Sequence, residues 1–200
     1  MSGDDHLREV TGGICAPAGV QAAAISAGIK ESGDEDMTLL DFDPPAEGAG
    51  VFTQNRACAA PVHLCRERVG KAPLRAILIN SGIANAFTGP AGLAAAEKIC
   101  GSLASRLGCD EKSLLMCSTG KIGGPLPVER MEGALDSLIA GLSSEGSAAA
   151  ARGIMTTDTR PKEAALEAAL PGGIVRIGGI SKGAGMIAPN MATMLGFIAT

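Results

Sequence analysis

Apolar positions recur at steps of three and four through Leu93, Ala96, Cys100, Leu103 and Leu107, which predicts an amphipathic helix over about residues 91–108 closed by Gly108. Val128, Met131, Leu135, Leu138, Ile139 and Leu142 repeat the pattern, with Pro127 near the first helical position and Ser143-Ser144 at the far end, and predict a second helix. Ala76-Ile77-Leu78-Ile79-Asn80 is the clearest buried strand and ends in the turn pair Ser81-Gly82, while Ser113-Leu114-Leu115-Met116-Cys117 predicts a strand that runs into Ser118-Thr119-Gly120. Met37–Leu40 and Gly50–Thr53 fit short strands on either side of a Pro44-Pro45 loop, preceded by an exposed acidic turn from Glu31 to Asp36. A third, shorter helix is expected after Pro161, and a further strand from Gly173 to Ser181. Strands that alternate with helices across short loops point to an α/β fold of layered sheets and helices. The chain stops at Ile198-Ala199-Thr200 inside an apolar run with no capping Gly, Pro or charge, so an N-terminal portion of a longer protein is expected.

Composition narrows the classes of function. A 200-residue chain with 46% hydrophobic residues is neither disordered nor fibrous. Its aromatic content is 2%, with no Trp and no Tyr, so it lacks ring platforms for stacking nucleobases. A net charge of -4 gives no electrostatic pull toward nucleic acid or anionic lipid. The uncharged stretch from Gly183 to Thr200 contains Pro189 and Asn190, a poor composition for spanning lipid, so no membrane partner is expected. The six cysteines form no CxxC pair, which argues against a zinc framework, and Met1–Val10 has no apolar stretch of the secretory kind. Reduced cysteines in a cytoplasmic protein are the expectation, with a small molecule or another protein chain as partner.

Only two histidines, His6 and His63, are available for acid–base work. His63 falls in the first turn of an expected helix, and a pair with Cys65 is disfavoured because residues two apart point away from each other on a helix. The glycine-rich stretches Gly178–Gly185 and Ser118–Gly124 match neither nucleotide-loop template. Thr119-Gly120, at the end of a buried strand, has the character of an oxyanion hole or of a plain turn. Met155-Thr156-Thr157-Asp158-Thr159 gathers hydroxyls and a carboxylate, and reads equally as a site or as a helix cap. An enzyme without a usable histidine can activate a hydroxyl on the first residue of a chain, whose α-amine has a pKa near 8 and takes the proton. Met191-Ala192-Thr193 offers small residues before a lone threonine, as such a released nucleophile requires.

The segment Lys182-Gly183-Ala184-Gly185-Met186-Ile187-Ala188-Pro189-Asn190-Met191-Ala192-Thr193-Met194-Leu195 resembles the self-cleavage segment of the glutamate N-acetyltransferase (ornithine acetyltransferase) family of arginine biosynthesis. Ala16-Pro17-Ala18-Gly19, Ala27-Gly28-Ile29-Lys30, Val51–Arg56 with Ala59–Val62, Asn80-Ser81-Gly82, Ser118-Thr119-Gly120 and Met155–Thr159 resemble family motifs in the same order. The resemblance covers residues from about 10 to 200. It implies self-cleavage between Ala192 and Thr193, with 1–192 as an α-chain region and 193–200 as the first residues of a truncated β chain. It further implies Thr193 as the nucleophile and Thr119 and Gly120 as the oxyanion hole. Thr156, Lys182 and Thr193 would contact substrate.

The implied reaction moves acetyl from N-acetylornithine to glutamate through an acetyl-threonine, in a ping-pong cycle without metal or organic cofactor. Acetyl-CoA as an additional donor is left open. The implied assembly is an α2β2 heterotetramer, and this chain alone is expected to be inactive. Ile83, Phe87 and Lys121 depart from the family pattern, and Lys121 puts a cation beside the expected oxyanion hole. Two other readings compete: an amidohydrolase or aminopeptidase with a released N-terminal nucleophile, and a non-catalytic assembly subunit that binds a partner through the apolar edge at Met194–Thr200.

Overall fold

The computed structural model describes residues 7–184 and 194–200. Two four-stranded sheets are stacked in a layered α/β arrangement, as the alternation of elements predicts. The first sheet is built from β2 (Val20–Ile25), β3 (Met37–Ala46), β4 (Leu74–Ile83) and β5 (Leu114–Lys121) in that order, antiparallel except for the parallel pair β4–β5. The second takes the order β1 (Leu7–Glu9), β6 (Lys162–Leu170), β7 (Gly173–Lys182), β8 (Leu195–Ala199), all antiparallel.

The first sheet is covered on both faces, which is why its central strands read as continuous apolar runs. On one face Leu39, Leu78 and Met116 pack against α1 (Ala60–Arg68), α2 (Gly89–Leu107) and α3 (Val128–Ala140) through Leu64, Ile99, Leu103 and Leu135. On the other, the alternate residues Leu40 and Ile79 meet Ala150 of α4 (Ser147–Gly153), Ile154, and Ile180 and Ala199 of the second sheet. Each fully buried Leu or Ile of this kind contributes about 1.5–3 kcal/mol through the area it removes from water. The stripe predicted on α2 is the buried one, and Gly108 ends the helix at φ +65°, in the left-handed region that favours glycine.

Three local expectations are corrected. The segment after Pro161 is not a helix but β6, paired residue for residue with β7 from Lys162↔Ser181 to Leu170↔Gly173. Its sequence, Lys-Glu-Ala-Ala-Leu-Glu-Ala-Ala-Leu, is rich in helix formers, and hairpin pairing overrides that preference. Gly50–Thr53 forms no strand, because Phe52 packs on the first core beneath the Arg66 guanidinium, 5.9 Å from its ring centre. Pro44 and Pro45 lie within β3, where the pairing with β4 shifts register between Asp41 and Ala46.

Candidate active site

β5 is an edge strand of the first sheet as described, and a cavity of about 1260 Å³ runs along residues 115–120 of it. The opposite wall comes from the second sheet, including Lys162, Ser181 and Leu195. Stacking the two sheets therefore brings the end of β5 up to the end of β7.

Lys182, the last residue of β7, is 3% exposed. Its Nζ donates to the Thr156 hydroxyl at 2.7 Å and to the Thr119 hydroxyl at 3.1 Å. Both hydroxyl oxygens accept, so each keeps its own O–H for another acceptor. Thr119 is itself buried in β5, and the next residue, Gly120, lies against β4 where no side chain fits. A Cβ on Gly120 would stand 2.2 Å from the Gly82 carbonyl carbon, and its φ of +131° is one that other residues rarely adopt.

The loop that follows α4 supplies Thr156 and a carboxylate beneath the lysine. Asp158, with a fully buried side chain, accepts from Lys162 Nζ at 2.6 Å and from the Gly183 N–H at 2.8 Å, and its Oδ2 lies 4.0 Å from Lys182 Nζ. Burial alone would raise its pKa. The Lys162 ammonium and the N–H groups of Gly183 and Thr156 outweigh that effect and hold the carboxyl below its usual range. Burial pushes Lys182 below the usual lysine range against the pull of Asp158, and the charges of Lys162 and Lys30 push the same way. The cluster thus carries more cation than anion and is suited to hold a carboxylate.

Of the residues singled out from sequence, Thr119, Thr156 and Lys182 are joined by hydrogen bonds, and Thr119 and the adjoining Gly120 line the cavity. Ala192 and Thr193 lie outside the described residues, while Leu195, two positions after Thr193, is the register partner of Lys182. Asp158 belongs to the site rather than capping a helix, and Lys162 was not singled out from the sequence at all. Its signal was the spacing of four that links it to a carboxylate in a hydroxyl-rich loop. Lys121 reaches away from the site and pairs with Glu31 at 2.9 Å, both largely exposed. Ile83 packs on the first core, and Phe87 is 73% exposed.

The profile of the ArgJ family matches residues 21–200. The chain belongs to the ArgJ family. It is 52% identical over 194 residues to the arginine biosynthesis bifunctional protein ArgJ of Thermosynechococcus vestitus, covering 96% of this chain and 46% of that protein. The ArgJ of Pseudomonas syringae pv. tomato is 50% identical over 182 residues, 91% of this chain and 45% of its own length. The chain thus spans about half the length of the curated relatives it matches.

Among solved structures, ArgJ of Bacillus halodurans superimposes with a TM-score of 0.86 at 33% identity, covering 94% of this chain and 98% of that one. Ornithine acetyltransferase of Mycobacterium tuberculosis, solved with ornithine, gives 0.84 at 38% identity, covering 92% of this chain and 98% of that one. The layered fold is therefore that of the ArgJ family. Among the described residues no helix is long and apolar enough to cross a membrane, and no group of three or more His, Cys, Asp or Glu is placed to hold a metal ion.

Proposed function

We propose that this chain is the N-terminal part of a cytoplasmic acetyltransferase of arginine biosynthesis that carries acetyl from N-acetylornithine to glutamate. The observation that carries the reading is the Lys182–Thr119–Thr156 cluster at the edge of β5, in which one buried cation holds two hydroxyls that keep their own protons and Thr119 lines the cavity. Family membership and the ornithine-bound relative support this substrate class.

The nucleophile is Thr193, freed by cleavage of the Ala192–Thr193 bond, so that 1–192 is an α chain and 193–200 begins a β chain. Thr193 precedes Leu195 by two positions in the chain, and Leu195 pairs with Lys182 in the sheet. The matched portion is 98% of each solved relative's chain but about 46% of the curated proteins, a difference in length that fits two-chain products.

The new α-amine takes the proton from the Thr193 hydroxyl as its oxygen attacks the acetyl carbonyl. The bond to the ornithine nitrogen breaks, and the amine leaves with that proton. The carbonyl oxygen, negative in the tetrahedral intermediate, is met by the Thr119 O–H, which Lys182 polarises, and by the Gly120 N–H. Such donors contribute about 3 kcal/mol each. Lys182 and Lys162 face the substrate α-carboxylate. Glutamate then enters and takes the acetyl group by the same steps in reverse. A hydroxyl, an amine and backbone donors suffice, and the chemistry calls for neither metal nor organic cofactor. Acetyl-CoA would be an additional donor to the same threonine, and the active unit is an α2β2 heterotetramer.

Incubating the complete protein with acetyl-labelled N-acetylornithine tests the scheme. Label should accumulate on a peptide beginning at Thr193 and pass to glutamate on its addition. Release of label to water alone, whether or not glutamate is present, would show an amidohydrolase instead.

A further inference from the structure

His63 finds a thiol partner that its spacing from Cys65 does not provide. Its Nε2 lies 3.3 Å from the sulfur of Cys58, in the loop before α1, five positions earlier in the chain. Arg66, one helical turn on from Val62, completes the group, with Nη1 3.9 Å from the same sulfur. The arginine is held in place, since Nη2 donates to the Thr53 carbonyl and the guanidinium lies over the Phe52 ring. Cys58 is half-buried rather than sealed off, at the N-terminal end of α1. It lines both the large cavity along β5 and an adjoining apolar cavity of about 400 Å³ bounded by His63, Phe87, Pro90 and Leu93.

A base in contact with a thiol, a cation beside it and an open cleft are the arrangement of a reactive cysteine. Two potential ligands are too few for a metal centre. We propose that Cys58 is a modification site that takes small-molecule disulfides with anionic groups, the negative charge being matched by Arg66. His63 accepts the thiol proton and the Cys58 sulfur attacks one sulfur of the disulfide. A Cys58–S bond forms, the ligand's S–S bond breaks, and the departing thiolate leaves with the electron pair and takes up the proton from His63. The two electrons that reduce the leaving thiol come from Cys58, so no further oxidant is needed. The adduct fills the junction of the two cavities that Cys58 lines.

The other thiols are less suited. Cys15, Cys65 and Cys100 are buried, and burial pushes Cys15 to about 11 and Cys100 to about 12. Cys117 is raised by its hydrogen bond to Cys65 and by burial. Cys109, half-buried like Cys58, serves as the internal comparison.

The test is exposure of the complete protein to a limiting amount of oxidised glutathione, followed by peptide mapping over time. Cys58 should carry glutathione first, roughly tenfold faster than Cys109. His63→Gln and Arg66→Gln should each slow the reaction at Cys58 and leave Cys109 unchanged. Arg66 is exposed, so its replacement is informative even where His63→Gln disturbs α1. Modification of Cys109 or Cys117 before Cys58, or an unchanged Cys58 rate in both variants, overturns the proposal.

Discussion

Lys182 has three protons to donate and two of its partners are threonine hydroxyls, so its removal both frees those hydroxyls to turn and takes away the buried cation beside them. Lys182→Ala in the complete protein should raise KM for N-acetylornithine by ten-fold or more, about 1.4 kcal/mol, and steady-state kinetics read the change directly. An unaltered KM would remove the lysine from the substrate site. Asp158 makes a separate prediction through pH. Its folded pKa is held below the ordinary carboxylate value, so its contribution to stability is full above about pH 4 and is lost as the pH falls through the lower folded value. Urea midpoints of Asp158→Asn should therefore lie below the parent's at neutral pH and converge with them in acid. Parallel curves would contradict this. The lysine and both threonines were legible in the sequence through their resemblance to family motifs. Asp158 was visible only as one of several polar residues, because a carboxylate that caps a loop and one that lies beneath a buried lysine leave the same letters.

At the scale of elements, β5 and β7 decide the geometry. Gly120 touches the Gly82 backbone of β4, so Gly120→Ala must either spread the parallel pair or move the strand end that carries Thr119. We expect loss of acetyl transfer from this change, with retained secondary structure by circular dichroism. Transfer at the parent rate would place the oxyanion hole elsewhere. Leu103 is fully buried between α2 and the first sheet, and Leu103→Ala should cost about 2–5 kcal/mol in denaturant unfolding, whereas a loss below 1 kcal/mol would mean the core closes over the gap. The α2 and α3 stripes and the β4 run could be read from periodicity because one face or both are buried by neighbouring layers. β6 could not: alternate burial is masked by alanines on both sides, and the informative signal was the Pro171-Gly172-Gly173 turn into the strand that pairs with it.

At the scale of the molecule, one sheet is covered on both faces and the other on one. The inner side of the second sheet buries Ile180 and Ala199, while Leu166, Ile177 and Ile198 are exposed on its outer side. Leu166 pairs with Ile177, and Ile198 pairs with Gly179 two positions along β7, so the three form a continuous apolar patch. Such a patch fits a further chain better than water, and the curated relatives carry about as much sequence again as is matched here. The layered class could be read from the order of elements, but the stacking of two sheets could not, since it depends on which faces meet. The central claim is that the Ala192–Thr193 bond breaks to make Thr193 a nucleophile. Its most direct test is the intact mass of the protein expressed with its continuing sequence in place, beside Thr193→Ala. Two fragments, the second beginning at Thr193, with the variant left whole, are the predicted result; a single uncut chain in both would contradict it.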